Sequence, residues 1–330
     1  MIKKIPLPNK YHFLINKKFL LNFFKKIFLG KKVKIEKIKI NSIEMSGSLK
    51  IFLQYFLTIG REKKFFHAIY RFSGTQEKEF QILKYLFNFN FPVPQPLFYF
   101  KKEKVLFYED LLGVPLSEIK KEKILKILKE IIPSLVSSLF FLHKVKPPVP
   151  KYDLKEDFQK FKIFEKEFKK FLPEEKNLIE KLIFKVFKEK KFYLKKIGFP
   201  NFLHNDLTFG NIILLKNKKI GFIDFSRSCF YDPISDVSTF LSQLDYLLFL
   251  MPKRNKEISK IQGEFVNSYL KLAKGYLPPS KDIGERLSLF RAYGNLKNAI
   301  FILGAEERFQ NPKGCLWFLR MAEKNLKIFS

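Results

Sequence analysis

The chain has 330 residues, enough for a large core in one or two domains, and at 46% hydrophobic it is not a disordered chain. Its formal net charge is +31, from 63 basic and 32 acidic residues, a balance that favours phosphate-rich partners. Lysine and the 41 phenylalanines run along the whole length, however, so the bias reads as genome composition or a high-temperature habitat rather than a binding patch. No RNA-binding motif and no fixed aromatic stacking pattern points to nucleic acid. Two cysteines, Cys229 and Cys315, exclude a disulfide framework, show no metal-ligand spacing and suit a reducing cytoplasm. The opening MIKKIPLPNK is basic, but Lys17, Lys18, Lys25 and Lys26 break the apolar stretch after it, so no secretory signal is expected. No run reaches membrane-span length.

Residues 11–30 repeat Phe13, Leu20, Phe24 and Ile27 at helical spacing beside paired lysines, with Gly30 as a stop. Such a basic amphipathic helix either packs on the rest of the protein or lies on an anionic lipid surface at the inner face of the membrane. Residues 33–72 alternate apolar and polar and predict three antiparallel strands, with Gly47 between the first two. Phe80, Leu83, Leu86 and Phe87 mark a helix that ends before Pro92, Pro94 and Pro96. A strand follows in KVLFYED. A long helical region over 120–144 is expected to break at Pro133, and two further helices over 153–196 part near Pro173. After Asp236 the stretches 237–250, 257–275, 282–304 and 315–328 all read as helices. No internal repeat is present.

The most informative stretch runs from His204 to Asp236, HNDLTFGNIILLKNKKIGFIDFSRSCFYDPISD. Two β-rich runs, Ile212–Leu215 and Ile220–Phe225, flank the polar Lys216–Lys219 and predict a short hairpin. Asp206 and Asn211 then precede the first strand, and Asp224 lies near the end of the second. An acid, an amide and a second acid at one end of a hairpin suit phosphoryl transfer. That chemistry needs a carboxylate to orient the attacking hydroxyl, and oxygen ligands to hold Mg²⁺ on the nucleotide phosphates. Asp-Pro before an apolar run signals a helix start at Pro233, capped or anchored by Asp232 and Asp236.

HNDLTFGN, then IDF, then DPISD resembles the aminoglycoside phosphotransferase and choline kinase superfamily, the small-molecule branch of the protein-kinase-like fold. The resemblance implies an α+β, bilobal fold with a small β-rich N-terminal lobe and a larger helical C-terminal lobe. It divides the chain into an amphipathic segment over 1–30, a nucleotide-binding lobe over 31–112 and a helical lobe over 113–330. It implies ATP and Mg²⁺ as cofactors, Asp206 as catalytic base, Asn211 and Asp224 as metal ligands, and His204, Asp232 and Asp236 as supports of the loop. Ser46, Gly47 and Ser48 correspond to the phosphate-covering loop, Glu79 to the helix acid, and Glu109 to the start of a hinge that binds adenine. By the same register Ala68 stands where relatives carry the strand lysine, which leaves Glu79 without its expected partner.

The implied function is phosphorylation of a hydroxyl on a small molecule, a sugar or amino sugar. Arg286, Arg291, Lys297 and Arg320 in the final helices suit an anionic or carbohydrate acceptor better than a polycation. A membrane-surface kinase of a lipid-linked sugar and a non-catalytic nucleotide-binding relative, the latter motivated by Ala68, remain as alternatives. The chain is expected in the cytoplasm, as a monomer or homodimer.

Overall fold

A computed structural model describes every residue except Met1, Ile5, Ser46, Gly47, Phe72, Ser73, 278–281, 305–310 and Ser330. At 2–4, 41–45, 48–50, Arg71 and Glu167 it describes the backbone alone. The chain divides into two compact units, one of residues 1–112 with 221–226, the other of 113–220 with 227–330.

The first unit is built on a six-stranded antiparallel sheet. In chain order its strands are β1 (Ile2–Lys4), β2 (Val33–Met45), β3 (Ser48–Ile59), β4 (Glu62–Arg71), β5 (Gln95–Phe100) and β6 (Val105–Glu109), arranged β1-β2-β3-β4-β6-β5. The three alternating runs of the sequence are β2, β3 and β4, because a side-chain period of two buries one sheet face at every second residue. Helix α1 (Lys17–Ile27) covers that face. Asn16 caps it by accepting the Phe19 N–H at 3.0 Å, and Lys25 and Lys26 sit in its last turn, where cations suit the dipole. Leu20 and Phe24 are fully buried among Ile51, Leu53, Tyr55, Phe66 and Phe107, and Tyr55 donates its hydroxyl to Leu14 O at 2.9 Å. The apolar stripe that could have met lipid is therefore spent on the sheet. Among the described residues no helix is long and apolar enough to cross a membrane. Helix α2 (Gln76–Asn88) packs beside β5 and β6.

The second unit is mostly helical. Helix α3 (Lys121–Lys144) runs unbroken through Pro133, contrary to the expected break. Ile131, Ile132, Leu135 and Val136 around the proline are all buried, and that packing outweighs the missing backbone donor. Helices α4 (Leu154–Phe171) and α5 (Lys176–Ile197) part at a short 3₁₀ turn over Pro173–Glu175. They share a core with α8 (Ile283–Gly304) and α9 (Pro312–Leu326), into which Phe168, Ile183, Leu296, Cys315 and Phe318 point. Helices α6 (Ile234–Leu250) and α7 (Asn255–Leu272) complete the bundle. Two short pairs of strands hold the loops: β7 (Val114–Pro115) with β9 (Ile212–Leu214), and β8 (Asn201–Leu203) with β11 (Cys229–Tyr231). Gly113 is required at the first of these. A Cβ there would lie 2.4 Å from Ile213 Cγ2 and 2.7 Å from the Leu214 carbonyl oxygen.

Candidate active site

The loop after β8 is held by one buried carboxylate. Asp236, in the first turn of α6, accepts the backbone N–H of His204 at 2.8 Å on Oδ2 and that of Asn205 at 2.8 Å on Oδ1. His143, near the end of α3, adds its Nε2 at 3.2 Å, and its Nδ1 lies 2.6 Å from the Tyr269 hydroxyl. With Tyr269 donating to Nδ1 and Nε2–H donating to Asp236, every one of these groups is satisfied by a neutral imidazole. Asn205 sits at φ 59°, a left-handed conformation that asparagine tolerates, and its amide nitrogen donates to Arg227 O at 3.1 Å. The Ser228 hydroxyl donates to His204 O at 3.2 Å. Asp232 does different work. It accepts the Ile234 N–H at 3.0 Å at the start of α6 and takes the Arg286 guanidinium in a two-pronged pair at 2.7 and 2.8 Å.

Asp206 follows two residues after His204 on this moored loop and is partly exposed. The Thr208 N–H donates to its backbone oxygen at 2.7 Å, which turns the chain sharply. Asn211 Nδ2 donates to the same oxygen at 2.9 Å and approaches Asp206 Oδ2 at 3.5 Å. The amide nitrogen is thus committed, and the carbonyl oxygen is the end Asn211 offers to a ligand. Arg227 places Nη1 3.8 Å from Asp206 Oδ1.

The hairpin turn after β9 closes with Leu215 N–H donating to Lys219 O at 2.9 Å, and Asn217 and Lys218 take positive φ. Strand β10 (Ile220–Phe222) leads to Asp224, which belongs with the first unit and has φ 61°. Its Oδ1 accepts the Ser226 hydroxyl at 2.6 Å. One carboxylate and one amide carbonyl are the donor set that Mg²⁺ on a nucleotide takes from a protein, since it keeps waters and phosphate oxygens as its other ligands. In keeping with that, no group of three or more His, Cys, Asp or Glu converges among the described residues.

A family model described as the phosphotransferase enzyme family matches residues 47–250. The chain belongs to that family. As a phosphotransferase it resembles solved structures along nearly its whole length. Against choline kinase from Cryptosporidium parvum Iowa II the TM-score is 0.61 at 15% identity, covering 95% of this chain and 96% of that one. Against the choline kinase LicA from Streptococcus pneumoniae, also solved with AMP, it is 0.57 at 12%, covering 94% and 98%. Against an aminoglycoside phosphotransferase from Streptomyces rimosus it is 0.52 at 16%, covering 86% and 99%. No curated protein sequence matches the chain. The family membership and the mixed fold, a small antiparallel sheet and a larger helical part, agree with the resemblance in the sequence.

In this phosphotransferase the strand position assigned from sequence needs correcting. Ala68 pairs with Leu53 and Phe107 and lies fully buried on the apolar face beneath α1, with Phe66 and Tyr70. A cation there would be sealed in the core, so the missing lysine at 68 says nothing about nucleotide binding. Residues of the other parity, His67, Ile69 and Arg71, occupy the opposite face of β4. His67 is packed edge-on against Phe52, with Nε2 3.7 Å from Asp110 Oδ2. Burial pushes its imidazole down to about 4 and the Asp110 carboxyl up to about 6, so His67 is neutral at pH 7 and supplies no charge. Glu79, expected to be either a pairing acid or a solvated one, is buried in the first turn of α2; the solvated alternative is excluded. Glu109 ends β6 and accepts Lys64 Nζ at 2.7 Å, while the Asp110 N–H is spent on Phe65 O at 2.8 Å. Ser46 and Gly47 lie outside the described residues, and Ser48 begins β3.

Sequence reasoning missed one cluster entirely. Lys190 of α5 is fully buried, with Nζ 2.5 Å from the Tyr152 hydroxyl and 3.0 Å from Asp157 Oδ2. Tyr293 also donates to Asp157, at 2.7–2.8 Å. Burial acts to raise the Asp157 carboxyl, but Lys190, Lys297 and the two tyrosines outweigh it and hold it at about 2. A signal existed: Lys190 continues the buried stripe Ile179, Ile183 and Val186 on α5. Because the folded-state value lies below the ordinary 3.8, Asp157 contributes stability that is fully present above about pH 4 and is lost as the pH falls toward 2. Denaturant unfolding of the wild type and Asp157→Asn should therefore differ by about 2 kcal/mol at pH 6 and converge near pH 2; a constant difference across that range would contradict the pairing.

Proposed function

We propose that the protein transfers the terminal phosphoryl group of ATP, as its Mg²⁺ complex, to a hydroxyl of a small sugar-like molecule. The observation that carries this is the mooring of the loop: a buried carboxylate, Asp236, takes two consecutive backbone N–H groups just before Asp206. That rigidity is what a general base needs, because the hydroxyl must be held within hydrogen-bond reach in one orientation. Asp206 would accept the acceptor proton. Asn211, through its carbonyl oxygen, and Asp224 would hold Mg²⁺, which supplies charge neutralisation on the transferred group when it is bound. Arg227, beside Asp206, adds a fixed positive charge near the reacting oxygen. The phosphate-covering role falls to Ser46, Gly47 and Ser48, the strand cation to Arg71 on the face opposite Ala68, and the adenine contact to the backbone after Glu109.

Nucleotide use is supported by the family and by the AMP complex of LicA. The argument for a non-catalytic relative rested on Ala68 and goes with that register. The argument for a membrane-surface kinase rested on residues 11–30, whose apolar face is covered by the sheet.

The test is thermal unfolding of the full chain with Mg-ATP and then with sugars, sugar phosphates and amino alcohols. Mg-ATP at about 100 times its Kd should stabilise by about 2.7 kcal/mol and raise the midpoint by roughly 5 °C or more, an effect abolished by EDTA. An unmoved midpoint with Mg-ATP would sink the reading.

A further inference from the structure

Rings around an ammonium, with a carboxylate at their edge, form the kind of cage that recognises choline-like ligands. The second unit contains such a cage, and it is already full. Lys190 Nζ lies 3.4 Å from the Tyr293 ring centroid, 4.7 Å from that of Tyr152 and 5.3 Å from that of Phe187. Asp157, the acid of the cage, is taken up by Lys190 and by the hydroxyls of Tyr152 and Tyr293. An incoming ammonium would find neither room nor charge there.

Tyr293 is also the wall toward Asp206. Lys297, one turn further along α8, sits 4.8 Å from the same ring, and its ammonium feels the charges of Asp206, Arg227, Asp157 and Asp236. Most of the neighbouring countercharge is committed. Asp157 belongs to Lys190, and Asp236 to two loop amides and His143. Arg291 is held by Asp245 at 2.8 Å and Arg286 by Asp232, so two of the basic residues of α8 serve structure. Lys297 and Arg227 together face Asp206, two positive charges against one. Burial lowers the Lys297 ammonium below its ordinary range, as expected of a cation short of countercharge.

Resting on the phosphotransferase reading above, we propose that the acceptor carries an anionic group, a phosphate or a carboxylate, bound by Lys297 near the hydroxyl that Asp206 activates, and that Lys190 bars choline-like acceptors by filling the cage. A cationic acceptor would meet repulsion from Lys297 and Arg227 with no aromatic site to offset it.

The probes are glucose 6-phosphate, gluconate, glucose and choline, titrated calorimetrically into the full chain with Mg-ADP present. Glucose 6-phosphate or gluconate, whichever source the anion comes from, should bind at least tenfold tighter than glucose, and choline should not bind. Lys297→Met should weaken the anionic probe at least tenfold. Lys253→Met, which removes an exposed lysine from the turn before α7, should leave it unchanged and so accounts for the general charge of +31. Lys190→Ala should create choline binding; if that variant does not fold, the Lys297 comparison decides alone. Choline or glucose binding the wild type as tightly as either anion overturns the proposal, as does no binding of either anion, or Lys297→Met behaving like Lys253→Met. Mg-ATP titrated in the same instrument separates the two levels. If it binds and the anions do not, the acceptor class is wrong; if it fails to bind, the phosphotransferase reading itself fails.

Discussion

Replacing Asp206 with Asn is expected to lower turnover by about 10³-fold, within the 10²–10⁴ that a positioned general base supplies. The substitution keeps the shape of the side chain, and the backbone oxygen that accepts from Thr208 and Asn211 is untouched, so the loop keeps its turn. What is lost is the capacity to take a proton from the acceptor hydroxyl. KM for ATP should stay within about twofold, because the base acts only on the acceptor and only in the transition state. Steady-state kinetics with the acceptor found by thermal shift would read both quantities. A turnover unchanged by the substitution would remove Asp206 from the chemistry.

The second large effect is on stability. Asp236→Asn should destabilise the protein by about 3–5 kcal/mol, the usual cost of removing one partner from a buried, hydrogen-bonded charge. The His204 and Asn205 N–H groups and His143 Nε2 now converge on two carboxylate oxygens. An asparagine offers one acceptor oxygen and puts an NH₂ group against a donor, leaving at least one buried backbone N–H without an acceptor. The loop ahead of Asp206 should loosen before the whole molecule unfolds. Amide hydrogen exchange should therefore quicken first at His204 and Asn205, and chemical denaturation would give the full loss. A change below 1 kcal/mol would mean that the mooring contributes little.

Much of this was legible in the sequence, because the signals were local. Strand alternation over 33–72 and the helical stripes after Asp236 each bury one face, so period alone revealed them. The motif residues Asp206, Asn211 and Asp224 were visible because their spacing is fixed by one loop and one hairpin. Register was less legible. FFHAIYRF is apolar at nearly every position, so parity could not be read until α1 was seen to cover the face of Phe66, Ala68 and Tyr70. Long-range partners were illegible altogether. Nothing within a few residues of Asp236 predicts that it serves His204 and His143, and Pro133 gave a break signal that tertiary packing overrode. Lys190 escaped notice for a different reason. In a chain with lysine on almost every helix face, one lysine in the apolar stripe does not stand out until its burial is known.

The most direct measurement of the central claim is the affinity for Mg-ATP of two variants, Asp206→Asn and Asp224→Asn, determined side by side by calorimetry. If Asp224 holds the nucleotide's metal while Asp206 addresses the acceptor alone, the Asp206 variant binds like the wild type and the Asp224 variant is weakened at least tenfold, with the loss confined to buffers containing Mg²⁺. Equal retention or equal loss in the two variants would contradict that division of labour.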